Sequence, residues 1–256
     1  MGKIISVVNQ KGGVGKTTTA VNLAAGVGIL GKKVLLVDAD PQGNTTSGYG
    51  ISKKDGVNTS YELLIGKAKA QETVIETQFE NVDIIPASIN LAAAEVDLIE
   101  IERREAQLKI ALSPLREKYD YIFIDCPPSL GLITINALNA SDTVLVPIQC
   151  EYFALEGLSQ LMASVRQVKR LYNPTLEIEG IVLTMYDARL NLTNQVVGEI
   201  KKYFSNKLYK TAIPRAVRLS EAPSYGCPIQ YYDKRSKGAD AYNNLSKEFI
   251  KKNKRN

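Results

Sequence analysis

A glycine-rich stretch near the start of the chain carries the residue types that phosphate chemistry needs. Residues 9 to 18 read Asn-Gln-Lys-Gly-Gly-Val-Gly-Lys-Thr-Thr. The glycines let backbone N–H groups approach phosphate oxygens closely. Lys16 supplies a point charge for the β- and γ-phosphates of a nucleotide, and Thr17 offers a hydroxyl to Mg²⁺. This spacing predicts a phosphate-binding loop rather than a turn that merely connects two elements.

The flanking residues predict the strand and the helix that such a loop requires. Residues 4–8 form an apolar, mainly β-branched run that is typical of a buried strand. After the loop, Ala20, Leu23 and Val27 recur at helical spacing. The positive end of that helix dipole would point at the bound phosphates.

Two further apolar runs end in aspartates. Residues 33–38 lead into Asp38-Ala39-Asp40 and a turn with proline and glycine, and residues 121–125 end in Asp125. Because ligands of a parallel sheet lie beyond the carboxyl ends of its strands, we expect the three carboxylates to face the phosphate loop. Carboxylates at that place can hold Mg²⁺ and orient an attacking water. The sequence therefore predicts magnesium-dependent nucleotide hydrolysis.

Composition excludes several other chemistries. The 256 residues contain no histidine, which removes Ser-His-Asp catalysis and histidine metal ligands. The three cysteines are far apart and form no Cys-x-x-Cys pair, which argues against a disulfide framework or a metal cluster and suits a reducing cytoplasm. We find no signal peptide and no apolar run near the roughly 20 residues that span a bilayer.

Alternating strand and helix patterns predict a single α/β domain over residues 1–256, with a mostly parallel sheet and helices on both faces. The apolar stripe from Leu91 to Leu115 predicts one long amphipathic helix that Ser113-Pro114 breaks or restarts. Short helices are expected at 60–65 and 72–75, and a loop at 213–223. Further elements are predicted as follows: strands at 82–86, 143–149 and 178–184, and helices at 131–139, 154–172, 192–204 and after 238.

The basic charge is concentrated near the end of the chain. Residues 201–256 hold 14 lysines and arginines against 4 acidic residues, although the net charge of the whole chain is only +5. This bias favours an anionic partner, either nucleic acid or lipid headgroups. A solvated, lysine-rich surface is the alternative interpretation.

The loop departs from the usual phosphate-loop pattern in two ways. Gln10 stands where a glycine is usual, and Lys11 adds a second lysine at the start of the loop. With these features the loop resembles the deviant Walker A motif of the ParA/MinD family of ATPases, and its Asn-Gln resembles the ParA/Soj branch. The stretches 125–131 (Asp-Cys-Pro-Pro-Ser-Leu-Gly) and 147–157 (Pro-Ile-Gln-Cys-Glu-Tyr-Phe-Ala-Leu-Glu-Gly) also look like that branch.

The resemblance implies a partition ATPase of the short form, without an N-terminal helix-turn-helix domain. ATP and Mg²⁺ would join two subunits, with Lys11 reaching across the homodimer to the partner's phosphates. Asp40 would lie in the first switch region near the hydrolytic water, Asp38 would support the magnesium side, and 125–131 would be the second switch region. The residues implied for the phosphates and Mg²⁺ are Lys11, Gly12, Gly13, Val14, Gly15, Lys16, Thr17, Thr18, Asp38 and Asp125.

The same resemblance implies contacts outside the phosphate loop. Pro214 and Arg215 would lie beside the adenine and ribose, with Met185 on the opposite wall. Arg189 and Arg218 would hold DNA through its phosphates, without sequence preference; a surface ion pair is the alternative for each. A ParB/Spo0J-like partner would stimulate hydrolysis and dissolve the dimer. The expected location is the cytoplasm, on the nucleoid in the ATP state.

Two other classes stay open at this stage. A MinD-like ATPase that cycles on a membrane would share the catalytic residues and differ in a terminal amphipathic anchor. Leu245, Phe249 and Ile250 form only a weak apolar face at the end of this chain, so we expect no stable membrane anchor. A metabolic enzyme on the same scaffold, such as an ATP-dependent synthetase or amidotransferase, would need a pocket for a small substrate.

Overall fold

The strands form one twisted sheet. The computed structural model describes residues 1–52 and 56–254, and within these ranges the sheet has seven strands in the order β3-β4-β2-β5-β1-β6-β7. All neighbours are parallel except β3, which pairs antiparallel with β4. The strands are β1 Lys3–Val7, β2 Val34–Asp38, β3 Ile75–Glu76, β4 Val82–Ile85, β5 Tyr121–Asp125, β6 Thr143–Gln149 and β7 Glu177–Thr184.

Helices connect these strands. They are α1 Lys16–Ile29, α2 Asn44–Gly48, α3 Ser60–Leu64, α4 Ala70–Thr73, α5 Ala94–Asp97, α6 Gln107–Leu112, α7 Leu132–Ala140, α8 Ala154–Leu171, α9 Asn191–Phe204, α10 Val217–Glu221, α11 Ile229–Tyr232 and α12 Lys237–Lys252. Short 3₁₀ turns cover Ile89–Ala93, Leu98–Glu100, Ser113–Leu115 and Ala222–Tyr225. None of the helices in the described ranges combines the length and apolarity that crossing a bilayer requires.

Two apolar cores lie on opposite faces of the sheet. One core joins the sheet to α1 and α12, and the other joins it to α5 through α9. Leu245 and Phe249 are fully buried in the first of these cores, so the weak apolar face of the last helix packs against the sheet. The predicted mostly parallel sheet with helices on both faces is confirmed.

The register of the central strands brings their ends to one edge. Val7 and Asp38 each lie opposite Asp125 in the pairing of β5 with its two neighbours. The phosphate loop leaves the sheet directly after β1, so the loop and both aspartates occupy the carboxyl edge of the sheet. That is the edge at which parallel sheets bind ligands.

The long helix predicted from Leu91 to Leu115 is wrong. A helical rod covers only residues 89–100, the backbone is extended at Ile101, and Arg103 has a φ of +52°, which a right-handed helix cannot include. The apolar stripe is nevertheless buried, because two separate segments place its leucines against the sheet. The predicted break or restart at Ser113-Pro114 is confirmed, since α6 ends at Leu112 and a 3₁₀ turn begins with that pair.

Two smaller expectations also need correction. The helix predicted at 72–75 ends at Thr73, because Ile75 already pairs with β4. The predicted loop at 213–223 contains α10. Residues 53–55 and the last two residues of the basic tail lie outside the described ranges.

Candidate nucleotide site

The loop between β1 and α1 has the conformation of a phosphate cradle. Gly13 and Gly15 adopt φ values of +73° and +85°, which favour glycine strongly over any residue with a Cβ. A Cβ placed on Gly12 or Gly13 would meet no atom within 4 Å, so this side of the loop is open. Gly15 caps α1 without a side chain, which leaves the first-turn N–H groups of a 14-residue helix without a side-chain acceptor.

Lys16 lies inside this loop. Its side chain is buried, and Nζ donates a hydrogen bond to the Lys11 carbonyl oxygen at 3.1 Å. Burial lowers the pKa of Lys16, and the charge of Asp125 partly offsets that shift. The ammonium is therefore fixed at the loop, close to the carboxylates of the sheet edge. Thr17 and Thr18 follow in the first turn of α1, both half-buried.

Asp125 is the last residue of β5, and only one of its two carboxylate oxygens accepts a hydrogen bond. Its Oδ2 accepts a hydrogen bond of 2.8 Å from the Thr45 hydroxyl, whereas Oδ1 is buried and accepts none. Burial raises the pKa of Asp125 to about 7, the charge of Asp38 adds to that shift, and the hydroxyls of Thr45 and Thr17 oppose it. A buried carboxylate oxygen without a donor is costly unless a cation or a ligand compensates it.

Asp38 is held by the start of the next helix. Its Oδ2 accepts hydrogen bonds from the backbone N–H and the hydroxyl of Thr46, at 2.8 and 2.7 Å, and Oδ1 accepts the Asp40 N–H at 3.2 Å. Burial raises the pKa of Asp38 to about 6, and the donated hydrogen bonds partly counter it. Asp38 is therefore fixed by the protein itself, with its carboxylate one strand away from Asp125.

Asp40 begins the turn after β2. Its Oδ1 accepts the Gln42 N–H at 2.9 Å, and its carbonyl oxygen accepts the Gly43 N–H at 2.8 Å. Gly43 closes this turn with a φ of +63°. The side chain of Asp40 is mostly buried and its charge reaches both Lys16 and Asp125, so the turn holds this carboxylate at the same edge.

The second lysine of the loop is engaged elsewhere. The Lys11 ammonium forms an ion pair with Glu151, which follows β6, and both side chains are about two-fifths exposed. The Lys11 backbone N–H donates to Asn9 Oδ1 at 3.0 Å. Within this chain, Lys11 is thus bound by the Glu151 carboxylate, whereas the Lys16 ammonium is hydrogen-bonded to the backbone of the phosphate loop.

The predicted adenine-side residues lie together and connect to the loop. The Thr184 hydroxyl at the end of β7 donates to the Val14 carbonyl at 2.8 Å. Directly after it, Met185 adopts a φ of +48°, and its Sδ is 3.7 Å from the Arg215 guanidinium. Tyr186 and Pro214 form a β-bridge. These contacts bring Met185, Pro214 and Arg215 together next to a strand end that bonds the phosphate loop, while their contact with a base stays a prediction.

The two predicted DNA-binding arginines are exposed and already paired. Arg189 makes two hydrogen bonds of 2.9 and 2.7 Å to Asp187. Arg218 donates to Glu221 at 2.8 Å, and its guanidinium lies 5.9 Å from the centre of the Tyr232 ring. Ion pairs on the surface contribute little to stability, so the guanidinium groups can exchange them for phosphates at small cost.

The residues at this edge fit a nucleotide and Mg²⁺. The cradle offers open backbone N–H groups at a helix N-terminus, which suit phosphate oxygens. Mg²⁺ is usually held by one or two carboxylates together with substrate phosphates, and Asp125 has a free buried oxygen for that role. Together with the sheet order, this loop defines the class of the P-loop nucleoside triphosphatases.

Comparison with known proteins narrows the class. Residues 2–178 match the family model of an AAA domain. The chain is 59% identical to the sporulation initiation inhibitor protein Soj of Bacillus subtilis, covering 97% of this chain and 98% of that protein. It is 51% identical to the chromosome partitioning protein ParA of Myxococcus xanthus (98% and 89%) and 50% identical to the chromosome-partitioning ATPase Soj of Treponema pallidum (98% and 98%).

Solved structures share the fold. A Borrelia burgdorferi plasmid partition protein bound to AMPPNP superposes with a TM-score of 0.83 at 32% identity, covering 98% of this chain and 100% of that one. The Mycobacterium smegmatis cobyrinic acid a,c-diamide synthase with ADP and magnesium gives 0.85 at 34% (98% and 95%). The Pyrococcus furiosus cell division ATPase MinD gives 0.81 at 28% (98% and 99%). The chain belongs to the ParA/Soj family of partition ATPases.

Several residues of this site were missed by sequence reasoning. Thr45 and Thr46 bind Asp125 and Asp38, and the only available signal was their place directly after the Asp38–Asn44 turn. Glu151 directly follows the end of β6, where parallel sheets collect functional residues. Glu151 lies inside the stretch 147–157 that carries the family resemblance, but the resemblance assigns it no role.

Proposed function

We propose that this chain is a chromosome- or plasmid-partition ATPase whose ATP-bound homodimer binds DNA without sequence preference. The chain is an ATPase that uses ATP and Mg²⁺, as its relatives and the nucleotide-bound neighbours support. The observation that carries the proposal is the pair of lysines in one loop. Lys16 lies within its own loop, while Lys11 is held at the rim by Glu151, from which it can be released.

The residues divide the work at the sheet edge. The loop N–H groups and Lys16 bind and orient the phosphates, and Thr17, Asp38 and Asp125 hold the metal side. Mg²⁺ supplies charge neutralisation on the phosphate oxygens when bound. Asp40 orients the attacking water, and Lys11 reaches the phosphates of the partner subunit. Met185, Pro214 and Arg215 contact the base and ribose. Residues 1–256 act as one domain in this proposal.

DNA binding and its release complete the cycle. The exposed arginines Arg189 and Arg218 contact backbone phosphates, which gives affinity without sequence recognition. A ParB/Spo0J-like protein stimulates hydrolysis and dissolves the dimer, and the ATP form is associated with the nucleoid. The last helix buries Leu245 and Phe249, which supports this proposal over a membrane anchor at that face.

Steady-state hydrolysis tests the proposal. ATP turnover is measured alone, with random-sequence duplex DNA, and with DNA plus the ParB-like protein encoded in the same genome. We expect low basal turnover and a marked increase only with DNA and the partner together. Lys16→Ala should abolish nucleotide binding, with Lys32→Ala as a control lysine outside the site. Turnover that depends instead on a small organic substrate would contradict the proposal and favour a metabolic enzyme.

A further inference from the structure

A cleft of about 1090 Å³ opens at the amino edge of the sheet, opposite the edge that carries the phosphate loop. Strands β1, β2, β5 and β6 begin at this cleft, and the end of α12 forms one of its sides. We call it the amino-edge cleft. Ligand sites in proteins have volumes of roughly 300–1,000 Å³, so the cleft is large enough for a small molecule. The described residues that line it include none of those proposed for ATP, Mg²⁺ or DNA.

The lining of the amino-edge cleft is strongly basic. It contains seven lysines and arginines against three acidic residues, a net charge of +4, whereas the whole chain carries +5. Four of these cations each lie within 3.9 Å of a carboxylate, namely Lys3, Lys32, Arg116 and Lys252. A cleft lined mainly by one sign of charge focuses the electric field inside it and attracts ions of the opposite sign.

Two of the three acidic side chains are bound within the floor of the cleft. Asp142 accepts a hydrogen bond of 2.8 Å from the Ile4 backbone N–H and pairs with the Arg116 guanidinium at 2.6 Å. Asp120 accepts the Lys33 backbone N–H at 2.9 Å. These carboxylates join the starts of neighbouring strands, so the floor is held together by the protein itself.

Three lysines of the cleft have no partner in the part of the chain that the structure describes. Lys33, Lys118 and Lys254 are exposed, and their side chains form no ion pair or hydrogen bond there. They come from three separate segments, before β2, before β5 and after α12. Glu117 is the one acidic member of the described lining that is also unpaired. The cleft therefore presents three free cations against one free carboxylate.

A compact anion with several charges is complementary to this arrangement. Lysine ammonium groups bind phosphate as point charges, and cations on three segments around one cleft favour a ligand that carries several such charges. A short chain of phosphate groups concentrates that charge in a small volume and can enter the cleft. A flat lipid surface or a DNA duplex would meet only the outer ends of these side chains.

We propose that the amino-edge cleft binds a soluble inorganic polyphosphate chain, with Lys33, Lys118 and Lys254 as its ligands. The site lies at the opposite end of the strands from Lys16 and Asp125, so binding there requires neither the phosphate loop nor the catalytic Mg²⁺. It goes beyond the proposed function and does not depend on it.

Isothermal titration calorimetry with inorganic tripolyphosphate, on the full chain in EDTA at low salt, tests the proposal. Lys16→Ala removes phosphate binding at the loop, and this variant should retain one saturable tripolyphosphate site. Adding Lys33→Gln and Lys118→Gln should raise its Kd about five-fold or more, because two charge-assisted contacts are lost. The matched control adds Lys67→Gln and Lys201→Gln, which removes the same charge from exposed lysines elsewhere. There the Kd should change less than about two-fold.

Two outcomes of the titration would overturn the site. Absence of saturable binding in Lys16→Ala would show that tripolyphosphate binds only at the phosphate loop. An equal rise in Kd in the control variant would show that tripolyphosphate responds only to net charge. Anionic vesicles or a short DNA duplex bound through Lys33 and Lys118, without tripolyphosphate binding, would overturn the soluble ligand in favour of lipid headgroups or nucleic acid.

Lysine acetylation read by mass spectrometry locates the site without any substitution. In the wild-type chain with saturating tripolyphosphate, acetylation of Lys33, Lys118 and Lys254 should slow several-fold. Lys67 and Lys201 should react at an unchanged rate. Equal protection of all five lysines would contradict a site in the cleft.

Discussion

The Lys11 ammonium is paired with the Glu151 carboxylate, across 140 residues of sequence, at the rim of the phosphate loop. Lys16, five residues further along the same loop, instead donates to the Lys11 carbonyl oxygen. Lys16 is therefore bound within the loop, whereas Lys11 is bound by Glu151, which follows strand β6. If Lys11 must reach another subunit, its pair with Glu151 competes with dimerisation.

Removing the carboxylate should therefore favour the dimer. In Glu151→Gln, we expect the ATP-dependent dimer to form at about two- to five-fold lower protein concentration, as a half-exposed ion pair contributes up to about 1 kcal/mol. Analytical ultracentrifugation in ATP measures the shift. Glu156→Gln removes the same charge from the exposed first turn of α8 and should have no effect. An unchanged dimerisation constant in Glu151→Gln would mean that Glu151 does not restrain Lys11.

Asp40 is predicted to act in hydrolysis and not in binding. Asp40→Ala should lower turnover by about 10²- to 10⁴-fold, the usual contribution of a positioned general base. Because ATP is still bound, the variant should accumulate as a dimer in excess ATP, which light scattering detects. Asn44→Ala, an exposed residue at the start of α2, is the control. A monomer in excess ATP would count against this role of Asp40.

Asp187 should restrain DNA binding. Its two hydrogen bonds hold the Arg189 guanidinium on the surface, so Asp187→Asn frees that group for phosphates. We expect DNA affinity to rise about two- to five-fold at low salt, in line with the small energy of an exposed pair. Arg189→Ala should weaken binding and reduce the salt dependence by about one phosphate contact. Asp120→Asn controls for the change in net charge. An equal gain in DNA affinity in that variant would show that Asp187 does not restrain Arg189.

Glu179 should make stability depend on acid pH. Its carboxylate binds Lys3, Thr143 and Asn253, joining three elements of the fold. Burial alone would raise the pKa of Glu179, but the Lys3 charge and the hydrogen bonds outweigh it and hold the pKa below the ordinary value of 4.5. A carboxylate whose pKa is lowered in the folded state contributes its full stabilisation above about pH 4.5. That stabilisation is lost as the pH falls through the pKa of the folded state.

Glu179→Gln tests this pH dependence. At pH 7 we expect a loss of about 1–3 kcal/mol in the free energy of unfolding, the cost of losing hydrogen bonds to a charged buried group. Urea denaturation should give a smaller difference between wild type and variant as pH falls below about 4.5. Glu177→Gln, which breaks an exposed pair with Lys169, serves as the control. A penalty independent of pH would show that the carboxylate charge is not involved.

The parts of the site that local sequence patterns encode are predictable from the sequence. The central strands are continuous apolar runs, and the loop needs glycines and lysine at fixed spacing, so both were predictable. The Asp38 and Asp125 register follows from parallel pairing of two strands that end in aspartate. These features depend on residues that are neighbours in the chain or that end equivalent strands.

Other features depend on contacts that no local pattern contains. The Thr45 and Thr46 hydroxyls find Asp125 and Asp38 only when α2 packs on the sheet edge. Arg103 interrupts a stripe that is periodic on both sides of it, because its positive φ ends the helical run. Glu95 caps a helix 37 residues away in the chain. Long-range polar contacts of this kind can be read only from the fold.

We propose that ATP binding switches this chain into a form that binds DNA. Co-sedimentation with random-sequence duplex DNA and, separately, with anionic liposomes, each in ATP and in ADP at moderate salt, tests it most directly. We expect binding to DNA in ATP alone, and loss of that binding in Arg189→Ala/Arg218→Ala. Binding to liposomes would contradict it in favour of a membrane-cycling ATPase, and binding to neither would contradict it in favour of a metabolic enzyme.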